Sequence, residues 1–71
     1  MTLKGVKIGD RFIDNKDRKS KRSSTVVDFI ERKSILTGKV FDYEVWAEKD
    51  FIGQKIKFQT SFTTVIRNKI Q

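Results

Sequence analysis

The stretch KVFDYEVWAEK, residues 39–49, decides the fold of this chain. Its side chains alternate between an apolar set and a mostly charged set, namely Phe41, Tyr43, Val45 and Ala47 against Asp42, Glu44, Trp46 and Glu48. Because successive side chains of a strand point to opposite faces, this alternation predicts a strand with one face on the core and one in water. The stretch QKIKFQTSF, residues 54–62, alternates in the same way after a turn at residues 50–53. We therefore predict a hairpin, with the acidic outer face of its first strand beside the lysines of its second.

Two segments nearer the N-terminus also favour strands. In GVKIGDRFID, residues 5–14, Val6 and Ile8 flank Lys7, and a Gly-Asp bend follows before the strand resumes. TVVDFIE, residues 25–31, is rich in β-branched and aromatic residues, which favour strands. Its odd-numbered residues are predicted to share one face and its even-numbered residues the other.

The assignment is ambiguous between strand and helix at residues 24–37 and 61–70. Ser24 is a candidate helix N-cap with Gly38 as a stop and turn residue, and Thr60 or Ser61 is a candidate N-cap for the second segment. The β-branched residues in both segments favour strands, which we predict. Since a small flat sheet would leave edges and one face bare, the expected fold is all-β: a five-stranded barrel or a strongly curled antiparallel sheet. The alternative is an α+β fold with a short helix at 24–37 or 61–70.

Composition excludes several classes of protein. The 71 residues, 37% of them hydrophobic, suit a single domain spanning 1–71. The chain has no Cys and no His, which excludes disulfides, zinc fingers and His- or Cys-based catalysis. We therefore expect no enzyme and no cofactor. No apolar run predicts a signal peptide or a membrane span, so we expect a cytoplasmic protein without membrane contact.

The charge points to a polyanionic partner. The formal net charge is +7, a strong bias in so short a chain toward DNA, RNA or another acidic surface. The stretch DNKDRKSKRSS, residues 14–24, is called the basic loop here; it carries two aspartates and five cations, Lys16, Arg18, Lys19, Lys21 and Arg22. These cations are predicted to contact phosphates. The opposing interpretation is a solvated connector in which Asp14 and Asp17 neutralise the cations.

Other residues extend this prediction or compete with it. A second basic group consists of Arg11, Lys55, Lys57, Arg67 and Lys69. It could continue the phosphate-binding surface if the C-terminal segment returns beside the first strand.

Trp46, among acidic neighbours, is a candidate protein contact together with Phe51; the alternative is that both pack against the fold. The carboxylates of Asp42, Glu44, Glu48 and Asp50 lack the pattern of a metal site, and no metal ligand is predicted.

The stretch KIGDRFIDNKDRKSKRSSTVVDFI resembles the opening of small phage and bacterial proteins with Src-homology-3-like (SH3-like) or KOW-like barrels. The resemblance covers residues 6–30 and consists of a Gly-Asp-x-aromatic entry, a polar loop and a β-branched strand. It implies a small barrel that binds nucleic acid or protein. Our expectation is thus a non-catalytic phage or bacterial accessory protein that contacts the backbone of DNA or RNA. The alternative is a protein-interaction module, such as a phage factor that binds a host protein through an acidic aromatic face.

Overall fold

The computed structural model describes residues 2–50 and 56–70, which form six strands and one helix. The elements follow in chain order: β1 (Thr2–Leu3), β2 (Val6–Lys7), β3 (Arg11–Phe12), β4 (Ser24–Lys33), β5 (Val40–Lys49), β6 (Lys57–Thr60) and α1 (Phe62–Asn68). A short 3-10 turn, Asn15–Asp17, lies between β3 and β4. The predicted roles of Phe51 and Lys55 concern residues outside these described ranges.

The centre of the fold is the long antiparallel hairpin of β4 and β5. Both were predicted as strands, and the alternation in β5 is confirmed where it meets the core, because Val45 and Ala47 are buried. The predicted turn at Gly38 is also confirmed: Gly38 has a φ of 67°, a left-handed conformation that glycine adopts without a steric cost. The Ser34 N–H donates to the Lys39 carbonyl across this turn at 2.9 Å.

A β-bulge at Val27 changes which face the second half of β4 presents. Val26 pairs with Ala47 and Asp28 with Trp46, so Val27 is an extra residue in the ladder. The predicted odd–even division of residues 25–31 is therefore wrong beyond Val26. Val26 is buried, and Phe29, three residues later, packs against the same core.

β3, β4, β5 and β6 form one four-stranded sheet in that order, and β1 pairs with β2 in a second sheet. The predicted hairpin of β5 and β6 is confirmed, and Glu48 lies opposite Lys57 as expected. The C-terminus returns beside β3 through an antiparallel bridge between Phe12 and Lys69. Within residues 2–50 and 56–70 the two sheets do not close into a barrel. The fold is mostly β with one short helix.

Our preference for a strand in the C-terminal segment is wrong, and the helical alternative within 61–70 is confirmed. Ser61 is the N-cap of α1, and its hydroxyl oxygen accepts the Thr64 N–H at 3.2 Å. Each β-branched residue costs a helix only a few tenths of a kcal/mol relative to better helix formers. That cost is offset because the helical spacing buries Val65 and packs Phe62 against the core.

The core is small and lies between the inner face of the sheet, the β1–β2 hairpin and α1. Six hydrophobic residues are fully buried: Val6, Phe12, Val26, Val45, Ala47 and Val65. Phe29, Phe58 and Phe62 close its margins. The opposite face of the sheet, which carries Trp46, is not covered by another element of the described chain.

Candidate nucleic-acid interface

The basic loop is an ordered part of the fold, because both of its aspartates serve as structural anchors. Asp14 caps the 3-10 turn by accepting the Lys16 N–H at 3.4 Å, and its carbonyl accepts the Asp17 N–H at 2.9 Å. Asp17 is buried, and its Oδ2 lies 3.4 Å from Nζ of Lys49 on β5. That oxygen has no hydrogen bond within the described chain, so the ion pair is what compensates its burial. Ser20 closes the turn by donating to the Asp17 carbonyl at 3.1 Å.

The loop cations face the other way. The side chains of all five are exposed to solvent: Lys16, Arg18, Lys19, Lys21 and Arg22. Arg18 and Lys21 form no ion pair with any residue that the structure describes. The aspartates therefore do not neutralise these two cations by direct contact.

The C-terminal end of α1 brings further cations to the loop. Arg18, Lys21, Arg67 and Lys69, which we call the basic cradle, surround an open concavity of about 340 Å³ together with Ile13 and Asn68. The concavity thus brings Arg18 and Lys21 of the basic loop together with Arg67 and Lys69, the two C-terminal members of the second predicted basic group. Arg67, like Arg18, is exposed and has no ion-pair partner among the described residues.

Hydrogen bonds fix the helix end against the loop. The side-chain amide of Asn68 donates to Oδ1 of Asn15 at 2.9 Å, across 53 positions of sequence. The Ile13 N–H donates to the Asn68 carbonyl at 3.1 Å, and the Ile70 N–H to the Arg11 carbonyl at 2.9 Å. These bonds fix the backbone from which the cradle cations extend, although they do not hold the exposed cationic side chains themselves.

Among the described residues, Lys69 is the one cradle cation that forms an ion pair. Its Nζ lies 3.2 Å from Oδ2 of Asp10, whose side chain is 4% exposed. The same oxygen accepts the Lys7 N–H at 3.0 Å. Burial by itself raises the pKa of Asp10, but the Lys7 N–H and the Lys69 ammonium more than offset this and hold the pKa below its ordinary value. Lys69 therefore stabilises the fold through its ion pair with Asp10 and also adds a positive charge to the cradle.

Replacing Asp10 with asparagine is expected to lower the free energy of unfolding by about 1–3 kcal/mol at neutral pH. The amide can still accept the Lys7 N–H but leaves Lys69 without its counter-ion. Because the folded pKa lies below the unfolded one, the contribution of Asp10 is complete above the unfolded pKa, about 4, and is lost as the pH falls through the folded pKa. Urea denaturation at neutral pH and again near pH 3, which lies below the unfolded value, measures the difference between the two proteins.

Asp28→Asn is the matched control for that substitution. Asp28 is exposed, and its carboxylate accepts only the neighbouring Phe29 N–H, at 2.8 Å. We expect a change of less than about 0.5 kcal/mol. A destabilisation of Asp10→Asn that is as large in acid as at neutral pH would contradict the assignment of a stabilising ionised carboxylate.

Two described members of the second basic group, Arg11 and Lys57, do not join the cradle. Arg11 lies 3.4 Å from Asp50 through Nε and donates to the Ser23 hydroxyl at 2.9 Å. Asp50 also accepts the hydroxyls of Ser23 at 2.7 Å and Thr25 at 2.6 Å. Burial raises the pKa of Asp50, but the Thr25 and Ser23 hydroxyls and the Arg11 guanidinium outweigh it, and the pKa lies below its usual value. Arg11 thus ties β3 to the end of β5. Lys57 lies on β6, at the opposite edge of the sheet from β3.

Trp46 lies on the sheet face that the helix does not cover. It is half-buried, its Nε1 donates to Oε2 of Glu44 at 3.2 Å, and it is flanked by Asp28 on β4 and Gln59 on β6. Together with Glu48 these residues make an acidic aromatic surface, which is the neighbourhood that the alternation predicted.

Two further classes of site were tested on the described chain. Residues 2–50 and 56–70 contain no group of three or more carboxylates arranged to hold a metal ion. None of the helical segments in these ranges is long and apolar enough to cross a membrane.

No protein-family model, curated protein or solved structure matches the chain.

Proposed function

We propose that the protein binds the phosphate backbone of a nucleic acid through the basic cradle and the adjoining cations of the basic loop. The observation that carries this proposal is the convergence of Arg18, Lys21 and Arg67 on one open concavity, while Asp17 is buried beside Lys49 on β5. Guanidinium and ammonium groups are the side chains that contact phosphates in most such complexes. The net charge of +7 would favour encounter with any polyanion.

This contact is to the backbone and carries little sequence information. The cradle presents flexible cations and no recognition helix or ribbon aligned with them, so it offers few groups that could read base edges. Affinity should be that of non-specific binding, with a Kd of about 10⁻⁴–10⁻⁶ M at physiological salt. We further propose a non-catalytic accessory protein of phage or bacterial type that acts in the cytoplasm. The resemblance of residues 6–30 to SH3-like or KOW-like barrels is part of this proposal.

The alternative proposal, a protein-interaction module, is favoured by one separate observation. Trp46 is only half-buried and is surrounded by Asp28, Glu44 and Glu48 on a sheet face that the described elements leave open. Aromatic anchors dominate many protein interfaces, and these carboxylates would select a basic partner. Trp46→Ala would remove this contact and leave the cradle intact, so the two proposals are separable by mutation.

Anisotropy titration of labelled duplex DNA and single-stranded RNA across a salt series tests the main proposal. Three unpaired cations predict a slope of log K against log salt of about −3 for duplex DNA, and engagement of the other loop cations would raise its magnitude to about 5. Trp46→Ala should give the same slope as wild type. If neither ligand binds at low salt, the cradle is not a nucleic-acid site and the proposal fails.

A further inference from the structure

The β4–β5 hairpin extends well beyond the core. β3 pairs with β4 only as far as Thr25, and β6 stops pairing with β5 at Val45. Residues 30–44, which we call the arm, therefore project as a two-stranded ribbon with both edges unpaired by strands of the described chain. The molecule is 43 Å long but only 25 and 20 Å in its other dimensions. The arm ends at the far end of the hairpin from the basic cradle.

The apex of the arm is apolar and lies in water. Ile35 is 102% exposed and Leu36 is 95% exposed. Phe41, just behind them, is 63% exposed, and Val40 is also exposed. Single exposed apolar residues are common, but four of them within seven positions at the end of a ribbon are a feature that contact surfaces often have.

Charge along the arm is arranged in layers behind this apex. Arg32, Lys33 and Lys39 lie within residues 32–41, and that segment contains no carboxylate. The first carboxylates, Glu31 and Asp42, stand just outside it. Lys33 Nζ lies 3.6 Å from Glu31, but both side chains are at least half exposed, and such pairs are weak and leave the ammonium accessible. From the apex inward the order is therefore apolar residues, then cations, then carboxylates.

We propose that the arm tip, residues 32–41, inserts into the surface of a membrane that contains anionic lipids. Its layers match those of such a surface: Ile35 and Leu36 would enter the acyl boundary, and the cations would lie level with the phosphates. The carboxylates behind them stay in water. Our expectation of no membrane contact rested on the lack of a spanning segment, and a tip contact needs none. The inference is independent of the proposed nucleic-acid site.

A nucleic-acid wedge fits the arm less well. Apolar side chains that insert between base steps must first unstack them, and the cost is repaid when the bent duplex wraps more of the protein. Here the sides of the arm carry Glu31 and Glu44, which would repel the phosphates of a duplex drawn along it, together with Asp42, which is ion-paired with Lys4 at 3.6 Å. The bilayer requires no comparable deformation, because only the tip enters.

Vesicle flotation with the full chain tests the proposal. Wild-type protein should float with vesicles made of equal parts phosphatidylcholine and phosphatidylglycerol, and bind vesicles of phosphatidylcholine alone at least about tenfold more weakly. The double variant Ile35→Ser/Leu36→Ser should lose about tenfold or more of the affinity for the anionic vesicles. Ile8→Ser is the matched control, since Ile8 is an exposed aliphatic residue outside the arm, and it should bind like wild type.

A spectroscopic readout separates insertion from simple charge attraction. In Leu36→Trp, the new indole should shift its emission to the blue when anionic vesicles are added, whereas Trp46 in the wild type should not. Binding of wild type and of the double serine variant with equal affinity would mean that cations alone hold the vesicle and would overturn the proposal. Absence of vesicle binding by wild type would also overturn the proposal. It would do so even if the double serine variant weakened DNA binding or disrupted a dimer seen by light scattering.

Discussion

Phe12→Ala is expected to leave most of the protein unfolded at room temperature. Among residues 2–50 and 56–70, Phe12 is the largest of the fully buried side chains, and its ring packs against Phe58 with centroids 6.3 Å apart. Truncation of a buried phenylalanine costs about 3–5 kcal/mol. The core of a 71-residue chain rarely supplies more than about 3–5 kcal/mol in total, so one substitution removes most of the available stability.

The position of Phe12 adds to this effect. It pairs with Ser24 on one side and bridges to Lys69 on the other, so it joins the sheet to the C-terminal segment. Loss of its ring would loosen both the core and the backbone contacts that support the basic cradle. Urea denaturation followed by far-UV circular dichroism measures the change in the free energy of unfolding.

Phe41→Ala is the matched control for Phe12→Ala. The same atoms are removed from a side chain that is 63% exposed and contacts Arg32, whose guanidinium lies 5.5 Å from the ring centroid. We expect a cost of at most about 1 kcal/mol. A Phe12→Ala protein that unfolds cooperatively at nearly the wild-type urea concentration would show that the core lies elsewhere.

Charge reversal of the cradle is expected to have the second large effect. The triple variant Arg18→Glu/Lys21→Glu/Arg67→Glu should weaken binding to duplex DNA by about 100-fold or more at low salt. Each reversal replaces an attraction to phosphate of about 1 kcal/mol in water with a repulsion of similar size. The remaining binding should depend only weakly on salt, because fewer counterions are released. None of the three side chains is buried or ion-paired among the described residues, so the fold should persist.

A second triple variant separates position from net charge. Lys33→Glu/Lys39→Glu/Lys57→Glu makes the same change in net charge at exposed positions away from the cradle. It should weaken DNA binding much less, through the loss of long-range attraction alone. Equal losses in the two triple variants would show that the protein attracts DNA only by its net charge and would contradict a localised site.

Much of the local structure could be predicted from the sequence. Alternation identified β5 and put Val45 and Ala47 on its core face, but Phe41, assigned to the same face, lies beyond the core and is 63% exposed. The predicted proximity of an acidic and a basic strand face is seen where Glu48 lies opposite Lys57. The turn at Gly38 was also predictable. These features depend on neighbours within a few residues, where strand periodicity and the conformational freedom of glycine act directly.

Other features were not readable from local patterns. The bulge at Val27 inserts one residue into the ladder and turns Phe29 toward the core, yet Val27 itself looks like any β-branched strand residue. In the C-terminal segment, propensity favoured a strand, while the burial of Val65 and the Ser61 cap favoured the helix that forms. Tertiary packing decided this case because its free energy exceeds differences in propensity of a few tenths of a kcal/mol per residue.

The sequence by itself determined the charge of the protein, the strands of its central hairpin and the absence of histidine and cysteine chemistry. Only the tertiary structure decided that Asp17 is buried while Arg18 and Lys21 are exposed, and that Arg67 joins them from nearly 50 residues away. It also decided that Ile35 and Leu36 project at the end of an arm. The physical reason is that periodicity and propensity act between near neighbours in the chain, whereas a binding surface depends on which distant side chains the folded backbone brings together.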